Sequence, residues 1–254
     1  MKTMKLVLPV LAVLAYGPVQ AAPPPPSLGS ELASFAVLGG STVTNAGGGT
    51  TVNGNLGVSP GTSITGFPPG IVNGTIHQTD GFATTAQTQL GNAIADLTGM
   101  GPGTAIAADL VGQVLSPGVY RPITGGFGLS GTLTLQGTGS ASDYWVFEMP
   151  ATTLITASNS NVTLINAGAN AVYWNVGSSA TLGSYSSFAG NILASASITM
   201  DPYSTLYGRA LAGAAVTMSG FNIVTAPVPE PETYAMMLAG LGLLGFMARR
   251  RKAS

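Results

Sequence analysis

A short pattern recurs between Ala151 and Val224, and a recurring coil narrows the folds open to a chain more than its composition does. Thr-Thr-Leu (152–154), Ala-Thr-Leu (180–182), Ile-Thr-Met (198–200) and Val-Thr-Met (216–218) share one form, so Thr153, Thr181, Thr199 and Thr217 fall in one equivalent place. A turn rich in Gly, Ser, Asn or Asp follows each rung, and further strands follow the turn. Two of these, at 188–194 and 206–212, match position for position with an offset of 18 residues, and the match runs on to Thr199 and Thr217. Coils this short bury their apolar positions only when a neighbour stacks on them, so the pattern predicts a β-solenoid.

Strand side chains alternate between faces. Ala180/Leu182, Ile198/Met200 and Val216/Met218 therefore point inward and the Thr column points out, on rungs about 4.7–4.9 Å apart. Any single Thr reads equally as a good strand former on a solvated surface. Four in the same place read as a flat surface with a role.

The two ends of the chain lie outside this pattern. Lys2 and Lys5 precede the apolar run Leu6–Tyr16, and Val19-Gln20-Ala21 supplies small residues at the cleavage position, so residues 1–21 read as a secretory signal peptide. Residues 22–27 are a Pro-rich linker, 28–225 one domain, 226–232 a Pro- and Glu-rich spacer, and 233–254 an apolar stretch ending in Arg249, Arg250, Arg251 and Lys252. The apolar stretch is shorter than the roughly 20 residues of a comfortable membrane span, and its basic cluster stays on the cytoplasmic side. These residues also read as a plain membrane anchor. Pro229-Glu230-Pro231, then a short hydrophobic helix, then the Arg cluster, resembles the PEP-CTERM sorting signal of exopolysaccharide-producing bacteria. That resemblance implies transient inner-membrane insertion, cleavage by an exosortase-type enzyme, and delivery to the cell surface or the extracellular matrix.

Between these ends, charge is scarce. Glu31, Asp80, Asp96, Asp109, Asp143, Glu148 and Asp201 stand against Arg121 and Arg209, which excludes the basic patch of a nucleic-acid surface. The sequence has no cysteine, so neither disulfides nor thiolate metal ligands hold it together. Some β-solenoids cleave polysaccharides, but such chemistry needs clustered acids, bases or metal ligands. Asp143, Glu148 and Asp201 fall on different coils, and the single histidine, His77, reads as a satisfied or surface residue. No catalytic residue, metal site or cofactor is expected.

The segment 28–76 reads as short strands separated by turn chemistry at Asn53-Gly54, Ser59-Pro-Gly61 and Pro68-Pro-Gly70. The period then changes: Phe82, Ala86, Leu90, Ala93/Ile94 and Leu97 recur at helical spacing, with Asp80 or Thr79 as N-cap and Gly99 as stop, which predicts one amphipathic helix over about 80–98. In Tyr144–Met149 and Val172–Val176 the strand alternation is lost and large apolar residues stand side by side. Strands of that kind are covered on both sides, so the helix is expected to lie there and to leave the Thr column free.

A family resemblance covers essentially residues 28–224. Phe35–Thr44, Gly54–Gly61, Thr65–Gly70, Leu115-Ser-Pro-Gly-Val-Tyr120, Gly177–Gly183, Phe188–Leu193 and Gly208–Ala212 closely resemble the broad microbial ice-binding protein family. The resemblance implies a mostly β fold, a discontinuous, right-handed, three-sided β-solenoid with one long helix packed alongside, and ice or ordered water as partner. Some family members carry a T-A/G-x-T/N motif on the ice-binding side; Thr156-Ala-Ser-Asn159 matches it once, and the turns at 183–186 and 201–204 do not. The candidate ice-binding residues are thus Thr153, Thr181, Thr199 and Thr217, with Thr156 and Asn159 beside them. The neighbouring strand exterior, including Thr163, Ser187 and Thr205, is the alternative, although the bulk of Tyr207 disturbs its flatness. A surface or matrix protein that binds exopolysaccharide and has no action on ice is the competing function.

Overall fold

The computed structural model describes residues 25–227. The expected signal peptide over 1–21, the first residues of the expected linker and the tail beyond 227 lie outside the described residues. All strand pairing among the described residues is parallel, in a seven-stranded and a fifteen-stranded sheet. Parallel strands joined by tight turns instead of hairpins are what stacked coils require, and the architecture is a β-helix with one α-helix at its side.

The smaller sheet runs in space through Gly128–Leu129, Leu154–Thr156, Ala180–Leu182, Ile198–Met200, Ala215–Met218, Thr42–Asn45 and Ser63–Thr65. Its order breaks from sequence order once. The N-terminal strand Thr42–Asn45 pairs with Ala215–Met218, so the start of the domain extends the end of the stack. The larger sheet does the same: Phe35–Gly39 pairs with Thr205–Ala212, and Thr51–Asn53 pairs with Ile223–Thr225.

Two long strands, Ser187–Ala194 and Thr205–Ala212, pair with each other over all eight residues. Each also changes neighbours halfway. Ser187 lies beside Asn161, whereas Tyr173–Val176 lies beside Asn191–Ala194. Thr205–Tyr207 lies beside Ile223–Thr225, whereas Ala210 and Leu211 lie beside Val37 and Leu38. The change falls at Gly190 (φ 117°) and Gly208 (φ 156°). A Cβ on Gly208 would stand 1.8 Å from the Gly190 carbonyl oxygen, so only glycine lets both strands turn this corner.

Inside the stack, residues of like kind lie above one another. Phe147 stacks on Trp174 at 4.0 Å, and Trp174 meets Phe188 at 4.7 Å. Each indole also satisfies its polar end: Trp174 Nε1 donates to Ala189 O at 3.0 Å and Trp145 Nε1 to Leu115 O at 3.1 Å. Such bonds remove the main cost of burying an indole.

The helix spans Gly81–Thr98. Asp80 is its N-cap, and the carboxylate accepts from Ala83 N at 2.8 Å; this bond, followed by one to His77, holds the Asp80 carboxyl below its ordinary range. Ala83, Ala86, Leu90, Ala93 and Leu97 are buried, against Leu32, Phe35, Leu38, Tyr144, Val146, Tyr173, Leu193 and Leu211. The helix therefore covers the strands in which alternation was lost. Phe82 departs from the expected apolar face, since it stands exposed at the edge and stacks on His77 at 4.6 Å. Gly99 keeps an ordinary helical φ of −75°, and the chain turns away at Gly101 and Gly103, both at positive φ.

Under the edge of this layer lies Arg209, 3% exposed. Its guanidinium donates to Ala33 O, to Asn191 Oδ1 at 2.8 Å and to Pro227 O at 2.9 Å. One side chain thus joins the 3-10 turn Leu32–Ser34 before the first strand, the neighbouring long strand Ser187–Ala194 and the last described residue. Burial lowers its pKa to about 10, so it remains charged near neutral pH and is stabilised by carbonyl oxygens instead of a carboxylate.

Candidate functional site

The smaller sheet presents its outer surface away from the core, and its register decides what lies on it. Thr181 pairs with Thr199, Thr199 with Thr217, Thr217 with Thr44 and Thr44 with Thr65. Five threonines on five successive rungs form one column, about 19 Å long at ordinary strand spacing. Their neighbours Ala180, Leu182, Ile198, Met200, Val216, Met218 and Val43 are all buried. The strands of this sheet carry no charged side chain.

Thr44 and Thr65 were missed by sequence reasoning. They lie in Thr42-Val-Thr44 and Ser63-Ile-Thr65, which resemble the rungs, but they are far from Thr217 in the chain and share no repeat spacing with it. Only the pairing of Thr42–Asn45 with Ala215–Met218 brings them in.

Thr153 does not belong to the column, contrary to expectation. Leu154 pairs with Ala180 and Ile155 with Thr181, so the place expected for Thr153 holds Ile155, which is 57% exposed. Thr153 falls instead level with Ser179, in a second outward line that continues through Ser197, Ala215, Thr42 and Ser63. The error is a slip of two residues. Because strand side chains have period two, such a slip leaves every residue on its own face, and burial alone cannot detect it.

Thr156 is also corrected. It is buried, and its hydroxyl accepts from Gly183 N at 3.0 Å, so it braces the next rung instead of meeting solvent. Asn159 is exposed in a turn at φ 62°. The corresponding turns of the following rungs hold Tyr185, Tyr203 and Phe221, all at positive φ.

The alternative face is chemically mixed. Asn161, Ser187, Thr205, Ile223, Thr51 and Ile71 form one column there, and Ile223 and Ile71 are exposed. Thr163 is two residues past Asn161, and Tyr207 protrudes at the same level two rungs away.

The scattered acids have structural partners. Asp143 accepts from Thr138 and Ser140 in its own turn, and Asp109 accepts from Ser130. Glu148, 1% exposed, pairs with Arg121, with 3.0 Å between Nε and Oε2; burial nevertheless raises its pKa, with Arg121 opposing. His77 Nδ1 lies 2.7 Å from Asp80 Oδ2. The described residues contain no group of three or more His, Cys, Asp or Glu placed to hold a metal ion.

A parallel β-helix extended by its own N-terminal strands, flanked by one helix and bearing a sheet with an uncharged outward Thr column, is the class of protein that these features define. Residues 37–224 match the Ice-binding-like family, and the chain belongs to it. Residues 227–252 match the PEP-CTERM protein-sorting motif, which marks an exported protein and implies processing by an exosortase. An ice-binding protein of Nostoc sp. (strain HG1) is 42% identical over 191 residues, 74% of this chain and 70% of the relative. Among solved structures, an ice-binding protein from the Antarctic ascomycete Antarctomyces psychrotrophicus superposes with a TM-score of 0.75 at 42% identity, covering 80% of this chain and 99% of the other. An ice-binding protein from an Antarctic biological consortium gives 0.72 at 35% identity, covering 88% and 97%.

Proposed function

We propose that this protein adsorbs to ice through the outer surface of the smaller sheet, and that the column Thr181–Thr199–Thr217–Thr44–Thr65 is the centre of contact. The in-register column is the observation that carries the reading, in a chain whose relatives are ice-binding proteins and not enzymes. A β-branched side chain has few χ1 choices, so successive threonines repeat one arrangement of methyl and hydroxyl at the strand spacing. The stacked core beneath keeps that array rigid. Methyls restrict the first water layer without capturing it, hydroxyls anchor it, and the strands offer no charge that would organise water differently. The coils, in this reading, wind right-handedly around three sides, with the Thr sheet on one and the helix on another. The test is direct: the purified protein is expected to arrest recrystallisation of fine-grained ice at micromolar concentration, and normal grain coarsening would refute the reading.

Residues 1–21 act as the export signal, and the tail inserts transiently in the inner membrane before processing delivers the domain to the cell surface or an exopolysaccharide matrix. The end of the domain is already packed, with Ala226 N donating to Asn53 O at 3.1 Å, so none of the described coils depends on the tail. Deletion of Val228–Ser254 is therefore expected to release folded protein into the periplasm. A truncated form that still fractionated with the membrane would place the anchor elsewhere.

A further inference from the structure

Beside the Thr sheet, where the chain turns onto the strands Ser187–Ala194, Thr205–Ala212 and Ile223–Thr225, three rungs carry a compact exposed apolar cluster. Tyr185, Tyr203 and Phe221 are 61%, 46% and 52% exposed. They stack in one ladder with ring centroids 4.9 and 5.1 Å apart and planes within 6°. All three have left-handed φ, at 58°, 62° and 53°, a conformation that favours the Asn found one rung away at 159 over an aromatic residue. Two residues further along each rung stand Ser187, Thr205 and Ile223, and two beyond those Ala189, Tyr207 and Thr225, in register. The result is a grid of three by three positions, eight of which reach solvent while Ala189 is buried. Of the thirteen large hydrophobic residues exposed among the described residues, five lie on it, with Tyr207 at 53% and Ile223 at 44%.

None of the nine positions is charged, which excludes an electrostatically recruited partner such as nucleic acid or an anionic polymer. Three rungs by five residues span roughly 14 by 16 Å, on the order of 200 Å². A stable protein pair buries about 800 Å² on each side, so the grid is too small to hold a second copy. It is the size of a few sugar rings. Pyranose C–H edges fit aromatic surfaces, and the phenolic, Ser and Thr hydroxyls supply the polar contacts. The stacked ladder is already held in place, so little side-chain freedom is lost on binding. Tyr207 stacks on no other ring among the described residues. Beyond the grid the same wall continues with amides, where Asn73 Nδ2 donates to Asn53 Oδ1 at 2.8 Å and Asn53 Nδ2 to Thr225 Oγ1 at 3.0 Å.

We propose that this corner is a platform for a neutral extracellular polysaccharide chain, separate from the Thr sheet. The inference rests on the reading that the protein is exported, and not on its action on ice. In native gels cast with dextran or mixed-linkage β-glucan, the purified protein is expected to be retarded by at least one of the two, and not by the anionic polymer alginate. Tyr203→Asn combined with Tyr207→Thr keeps the turn and strand conformations and is expected to weaken retardation at least fivefold, with melting and ice recrystallisation inhibition unchanged. The proposal is overturned if neither glucan retards the wild type, if the double variant is retarded equally, or if alginate is as effective. It is overturned also if the variant loses ice activity, which would join the corner to the ice face, or if it abolishes a dimer seen for the wild type by sedimentation. A wild type that binds glucan but never acts on ice would leave this inference standing and remove the ice reading.

Discussion

Replacing Thr199 and Thr217 with tyrosine is expected to abolish ice recrystallisation inhibition while circular dichroism and Tm stay close to wild type. The two residues are adjacent in the Thr column and only partly exposed, with their neighbours 198, 200, 216 and 218 facing the core. An outward strand position accepts a β-favouring aromatic residue at little cost, within about 0.5 kcal/mol. A ring standing above the surface nevertheless holds a flat sheet away from a crystal plane over several rungs. Thr44→Tyr alone is expected to have an effect of the same sign, because the N-terminal strand places it between Thr217 and Thr65. The control is Ser187→Tyr with Thr205→Tyr on the adjoining strands, expected to leave ice activity intact. Loss of activity in the control pair and its retention in the Thr pair would move the ice face to the neighbouring side.

Leu90→Asp is expected to destabilise the domain by about 3–5 kcal/mol. Leu90 is 2% exposed in the middle of the helix, in a cluster with Leu38, Leu193 and Leu211 from three neighbouring strands. Aspartate there removes the apolar contacts and puts an unpaired carboxylate between the helix and the sheet. For a domain of this size the loss corresponds to a fall in Tm of roughly 10 °C. Asn92→Asp, on the exposed side of the same helix, adds the same charge and is expected to change stability by less than about 0.5 kcal/mol. Equal melting of Leu90→Asp and wild type would mean that the helix does not pack as described.

Much of this arrangement was legible before the fold. The helix was visible because Ala86, Leu90, Ala93 and Leu97 recur at a period that no strand uses, with Asp80 in place to cap it. Its resting place was visible in Trp145–Met149 and Val172–Val176, whose uninterrupted burial comes from cover on both sides. That Thr181, Thr199 and Thr217 share a column was implied by an 18-residue offset within contiguous chain. The two tyrosines and one phenylalanine of the corner ladder were equally present in the turns, but their exposure and mutual stacking depend on left-handed turn geometry that spacing does not reveal.

By itself, then, the sequence determined the coil, the parity that sends Thr outward, the helix and the sorting tail, since each depends on local period, turn chemistry or a contiguous motif. Tertiary structure alone decided which rungs meet. It put Ile155 in place of Thr153 because a two-residue slip keeps every side chain on its own face and leaves local pattern indifferent. It turned Thr156 inward, onto the amide of Gly183. It also carried the column through Thr44 and Thr65, because backbone hydrogen bonds between strands remote in the chain are not encoded by any spacing along it.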